Sequence, residues 1–199
     1  MINENKKFII SLSIVLIIFI VIGCYQPSVS QFTLDQPDFY GISEEITLEE
    51  FLNYTSRNNI PIHLPIKLPT ENLKMTAIYL KKSPFITIIV YSEEGNKDYK
   101  TAEFGIEIIR VNPDRVPTFS DLQAKAEKSP DVVAKLINNW PVIIYEHAYN
   151  GHPEFREKYG DYNLIAFVYI GQLRYLIGAP LVDNANDLIP TIESMSLAN

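Results

Sequence analysis

The stretch that most limits what this chain can fold into is its first. Lys6-Lys7 precedes an apolar run from Phe8 to Ile22, softened only by Ser11 and Ser13 and followed by Gly23-Cys24. A basic lead, a short greasy core and a small residue before a cut mark a secretory signal. The run falls below the ~18–20 apolar residues that favour a stable membrane span. The fold is therefore to be sought downstream, in a chain delivered across a membrane.

Cys24 is the single cysteine of the sequence. Val21-Ile22-Gly23-Cys24 resembles the lipobox of bacterial lipoproteins, with Ile22 bulkier than the small residue commonest there. The resemblance implies that residues 1–23 are a lipoprotein-type signal and that Cys24 is the lipid attachment site. It also implies a mature protein held at the cell membrane, facing the extracytoplasmic side. One acyl chain holds a protein marginally and two hold it stably, and a diacylglyceryl group supplies two. The same stretch also fits an uncleaved anchor helix, or an ordinary signal whose cysteine is incidental.

Losing Glu4, Lys6 and Lys7 with the signal takes the formal charge from −7 to −8. That sign argues against nucleic acid and against an electrostatic grip on anionic lipid. With no second cysteine there is no internal disulfide, so packing alone must stabilise the folded part.

Residues 24–42 read as an extended linker, broken by Gln26-Pro27-Ser28 and Gln36-Pro37-Asp38 but carrying Phe32, Leu34, Phe39 and Tyr40. Residues 43–199 read as a single domain. Thr47-Leu48-Glu49-Glu50 has the form of a capping box, and the apolar spacing after it predicts a helix over Thr47–Arg57. Pro61, Pro65 and Pro69 enforce an extended run packed on the core. Strands are expected at Lys74–Lys81, Phe85–Tyr91 and Thr101–Val111. In the last, Phe104, Ile106 and Ile108 alternate with Glu103 and Glu107, which predicts one wet face. A second box at Ser120-Asp121-Leu122-Gln123 predicts a helix to about Lys128, and Val133, Leu136, Ile137 and Trp140 predict another. Strands follow at Val142–Tyr145, Asn163–Ile170 and Leu173–Ile177, the last two turning on Gly171-Gln172. His147–Tyr162 reads as a loop, and Leu188–Leu197 as a closing helix with Pro190 in its first turn. The expected class is α+β: a curved antiparallel sheet of about six strands with the helices packed on one face.

The helix at Thr47-Leu48-Glu49-Glu50-Phe51, the proline-spaced Ile60–Pro69 run and the three-strand meander form one part of a recognisable pattern. The Phe167–Gly178 hairpin and the closing helix complete it. Together they resemble uncharacterised extracytoplasmic domains of lipoproteins. These are similar in turn to the periplasmic lipoprotein-carrier and sigma-regulator sensor domains. The resemblance implies a curved sheet with helices in its concavity and carries no catalytic residues.

Tyr79, Tyr91, Tyr145, Tyr169 and Tyr175 all fall in expected strands, so rings sharing one face could hold an apolar or amphipathic ligand. Core packing explains the same rings, since aromatics favour strands. His147, His152 and Glu154, with Glu146, Glu157 and Asp161 near them, are the best metal constellation, but their spacing fits no zinc signature. No nucleophile elbow or glycine-rich phosphate loop is present. The reading is therefore a non-catalytic, lipid-anchored binding or sensor domain for a partner protein or apolar ligand, without a cofactor. A purely structural envelope module and a metal-dependent hydrolase using the His147–Asp161 loop are the alternatives.

Overall fold

In the computed structural model, which describes residues 42–151 and 153–198, two antiparallel meanders join edge to edge. The expectations for the signal, for Cys24 and for almost all of the linker lie outside the described residues. The first meander is β3 (Lys74–Lys81), β4 (Ile86–Ser92) and β5 (Phe104–Arg110), with the two-residue β1 (Glu44–Glu45) on its outer edge. The second is β6 (Val132–Ile137), β7 (Trp140–Tyr149), β8 (Tyr162–Ile170) and β9 (Leu173–Ala179). β5 pairs with β9, giving one eight-stranded sheet in the order β1-β3-β4-β5-β9-β8-β7-β6. β2 (His63–Pro65) and β10 (Met195–Leu197) form a separate two-stranded sheet. Among the described residues, no helix is long and apolar enough to cross a membrane.

The first face of the large sheet carries the main core: Ile78, Ile89, Phe104, Ile106, Val142, Ala166, Tyr175 and Ile177. It is closed by Phe51 from α1 (Leu48–Arg57) and by Leu188 and Ile192 from α4 (Ala185–Glu193). α1 starts as its sequence demands, the Thr47 hydroxyl accepting from the Glu50 N–H while the Glu50 carboxylate accepts from the Thr47 N–H.

The expectation of about six strands falls two short of the large sheet: β1 is one addition, and the other arises because Val133–Trp140 is not helical. Asn138 and Asn139 adopt φ 50° and 65°, the left-handed pair of a type I′ turn, and fold Val132–Ile137 back on β7 as a hairpin. β-branched Val132, Val133 and Ile137 fit that pleat better than a helix. Asn139→Ala puts a Cβ into left-handed backbone without the local hydrogen bonding that Asn offers. It is expected to cost about 1 kcal/mol, while Asn139→Gly leaves stability equal or higher; thermal melts of the two variants decide it.

Other boundaries also moved. The second capping box is Thr118 with Asp121, two residues earlier than expected, opening α2 (Phe119–Ala126). α4 begins at Ala185, so Pro190 stands inside it rather than in its first turn, and the chain ends in β10. The expected His147–Tyr162 loop is the end of β7, then α3 (Pro153–Tyr159), then the start of β8.

The helices do not all lie on one face. A second, smaller core of Ala77, Tyr79, Ile88 and Val90 on the opposite face is covered by Tyr99 and Ala102 of the β4–β5 connection. α3 pins that connection, with the Tyr159 hydroxyl and the Lys158 ammonium both donating to the Thr101 carbonyl, at 3.1 and 3.2 Å. Lys158 also donates to Glu103 at 3.1 Å. Glu103 and Glu107 are accordingly buried, and the wet face expected of β5 is not wet there.

Candidate functional site

Strand parity divides the five tyrosines. Tyr91 and Tyr175 belong to the main core, whereas Tyr79, Tyr145 and Tyr169 point to the second face. The Tyr175 hydroxyl accepts from the His63 N–H at 2.9 Å, so it fastens β2 to the sheet and lines no ligand surface. Tyr79 lies under the β4–β5 connection, several strands from the other two. The single aromatic lining suggested by the sequence does not form. What remains on the second face is Tyr145 and Tyr169, and they flank something the sequence did not announce.

That feature is an ion pair. Arg174 Nη2 donates to Glu107 Oε1 at 3.1 Å across the β5–β9 seam, with side chains 19% and 4% exposed. Register explains the meeting: Ile109 stands opposite Arg174 and Leu176 opposite Glu107, so the two charges are diagonal neighbours on one face. The guanidinium carbon sits 5.4 Å from the centre of the Phe167 ring, and Tyr145 meets Phe167 edge-on at 5.9 Å. Arg174 Nε is buried and has no hydrogen-bond partner. Burial drives the Glu107 carboxyl above its ordinary value of 4.5, with Arg174 opposing. Burial likewise raises the Tyr169 phenol, again against the pull of Arg174.

The pair closes the inner side of a half-exposed band. Reading register across the sheet, Lys81, Ile86, Ile109, Arg174 and Tyr169 form one row on the second face, and each is half-buried. The band therefore joins apolar surface, one phenol and two cations, Lys81 at its end and Arg174 backed by a buried carboxylate. Such a surface can bind an amphipathic group.

No protein-family model, curated protein or solved structure matches this chain. The site stands on its geometry alone.

Among the described residues the alternative constellation does not gather. His147 falls in the β7 irregularity between Tyr145 and Ala148, exposed, with Nδ1 3.4 Å from Asp131. Glu146 is turned away to accept from the Ala185 N–H at 2.7 Å, where it caps α4. Glu154 is exposed on α3, and His152 lies outside the described residues. Among the described residues no three metal-ligating side chains converge. Elsewhere, a groove of about 390 Å³ runs between Lys67-Leu68-Pro69 and the first turns of α4, bordered by Asp183 and Asp187. No buried charge or aromatic ring lines it.

The missed residues had a signal. Arg174 is the one charge in Leu173–Ala179, a strand otherwise apolar apart from the Tyr175 hydroxyl, and such a residue needs a partner.

Proposed function

We propose that this protein is a non-catalytic binding or sensor domain, tethered outside the cytoplasm by a lipid on Cys24. Its second sheet face engages an amphipathic ligand or the apolar segment of a partner protein. The observation that carries the reading is the Glu107–Arg174 pair. A half-buried, aromatic-backed cation whose buried Nε donor is unfilled is an expensive feature for a surface that meets only water. The band beside it supplies the apolar half of the same recognition. The lipoprotein-like signal supports the tether.

The test is 8-anilinonaphthalene-1-sulfonate, whose sulfonate and rings mimic both halves. Residues 24–199 carrying Cys24→Ser are expected to bind one equivalent saturably. Tyr169→Ala is expected to weaken that binding about fivefold or more, roughly 1 kcal/mol. Tyr175→Phe, in the main core, is expected to leave it unchanged. Binding indifferent to Tyr169 would remove the reading. In the host, Cys24→Ser is expected to abolish incorporation of labelled fatty acid.

A further inference from the structure

The two rims of the large sheet are finished differently. Outside β3, the short β1 covers Tyr79 and Leu80, and a bulge kinks the strand between Met75 and Ala77. Glu44 and Glu45 of β1 are paired with Lys82 and Lys97. Such devices keep a rim from pairing with another chain. Among the described residues β6, at the opposite rim, has no such device. Val132–Ile137 is an unbroken strand in continuous register with β7, and its one charge is Lys135. α2 packs on β6 and β7 alike, so it lies on a face of the sheet and leaves the rim open.

The turn fixes which backbone groups point out of that rim. In a two-residue hairpin the flanking pair, here Ile137 with Trp140, exchanges hydrogen bonds, so the odd-numbered residues of β6 bond inward to β7. Two bonds agree with this. The Glu146 N–H donates to the Asp131 carbonyl, whereas the Val132 N–H donates to the Ser129 carbonyl in the turn before the strand. Ala134 and Leu136 therefore present both N–H and C=O outward, and among the described residues neither finds an outer partner. Their side chains stand on the second face, where Leu136 is 52% exposed.

The occupant that fits this rim is the rim of another copy. Placed antiparallel about a two-fold axis at Ala134, two copies set Ala134 against Ala134, Leu136 against Val132 and Lys135 against Val133. Each Ala134 then donates to and accepts from its counterpart, and each Leu136 N–H reaches the outward Val132 carbonyl across the axis. On the second face the exposed Leu136 covers Val132 of the other copy. On the first face Lys135 lies diagonal to Asp131 of the other copy, within reach of a long side chain. Sliding the pair by two residues sets Lys135 on Lys135 in one direction. In the other it sets Leu136 opposite Pro130, which has no N–H to give. Charge and hydrogen bonding thus select one register.

We infer that β6 is a homodimerisation edge, through which two copies of this chain pair antiparallel about Ala134 and run one sheet through both. One short strand from each copy falls below the ~1,200–2,000 Å² of stable interfaces, so the dimer is weak and exchanging. The inference goes beyond the ligand reading and does not use the Tyr169–Arg174 band.

The test co-expresses two copies of the full chain bearing different affinity tags, one with the photo-cross-linker p-benzoylphenylalanine in place of Leu136. Irradiation is expected to join the two copies, with the link on Pro130–Ala134 of the second. Links confined to one copy, links to any other segment of the second, or none would overturn the inference. Ala134→Pro in both copies removes only an outward N–H, which a rim strand tolerates, so the thermal melt is expected to hold while the joined product falls about tenfold or more. Lys135→Glu is expected to lower it too, by setting a second acid beside Asp131, and adding Asp131→Lys is expected to restore it. Product unchanged by Ala134→Pro, or not restored by the charge swap, would sink the pairing; should Ala134→Pro unfold the chain, the swap decides alone.

Discussion

Arg174→Met is expected to destabilise the fold by about 3 kcal/mol or more, measured by urea denaturation at neutral pH. Methionine keeps most of the side-chain volume, so the loss is electrostatic: Glu107 is left as a buried carboxylate with nothing to neutralise it. Adding Glu107→Leu is expected to restore most of the stability, because an apolar pair of similar size needs no charge compensation. The sign of the pH dependence follows from the direction of the Glu107 shift. Its folded carboxyl already titrates above the ordinary 4.5 because burial raises it, and removing Arg174 deletes the opposing influence. Between the unfolded and folded values the folded state then holds the extra proton, so stability falls as pH rises through that window. The Arg174→Met deficit is thus greatest above the folded value and shrinks as pH falls towards 4.5. A deficit that stayed constant with pH, or a double variant as weak as the single, would show that the pair is not coupled as its 3.1 Å contact indicates.

Phe51→Ala is expected to cost about 3–5 kcal/mol, the range for emptying a large aromatic site. Phe51 is fully buried, and it is the one large apolar side chain that α1 sinks into the core, its other buried residue being Thr55. Leu52 and Tyr54 only flank the cluster. The ring therefore carries the docking of the whole helix, and the helix in turn shields the β3–β4 side of the first face. Hydrogen exchange should show α1 losing protection together with Ile60 and Ile62, while β7 to β9 stay protected. Uniform loss across the sheet would mean that α1 is not a separable layer.

Much of this architecture could be read from the residues because local and global preferences agreed. Thr47 with Glu50, the β3 boundaries and the Gly171-Gln172 turn, where Gly171 takes φ 59°, each have one physical solution. The reading failed where two periods fit the same letters. Val133, Leu136, Ile137 and Trp140 satisfy a helical stripe, and only the left-handed Asn138-Asn139 pair tips them into a hairpin. It failed again at Glu103 and Glu107, whose alternation says outward but not whether outward is wet. That depends on Lys158 and Arg174, supplied from α3 and from β9 far along the chain. The candidate site was half visible. Tyr145 and Tyr169 were named for it, but pairing Arg174 with Glu107 required knowing that β9 sits between β5 and β8.

The seam between β5 and β9 also governs the order of assembly. Both strands are central, yet they meet only after everything from α2 to β8 has been made, so neither meander has a complete neighbour until late. Pairings of such long sequence separation form slowly. A chain still folding would expose the bare side of β5 throughout that interval, so shielding of that lone ribbon edge should set the yield of folded protein.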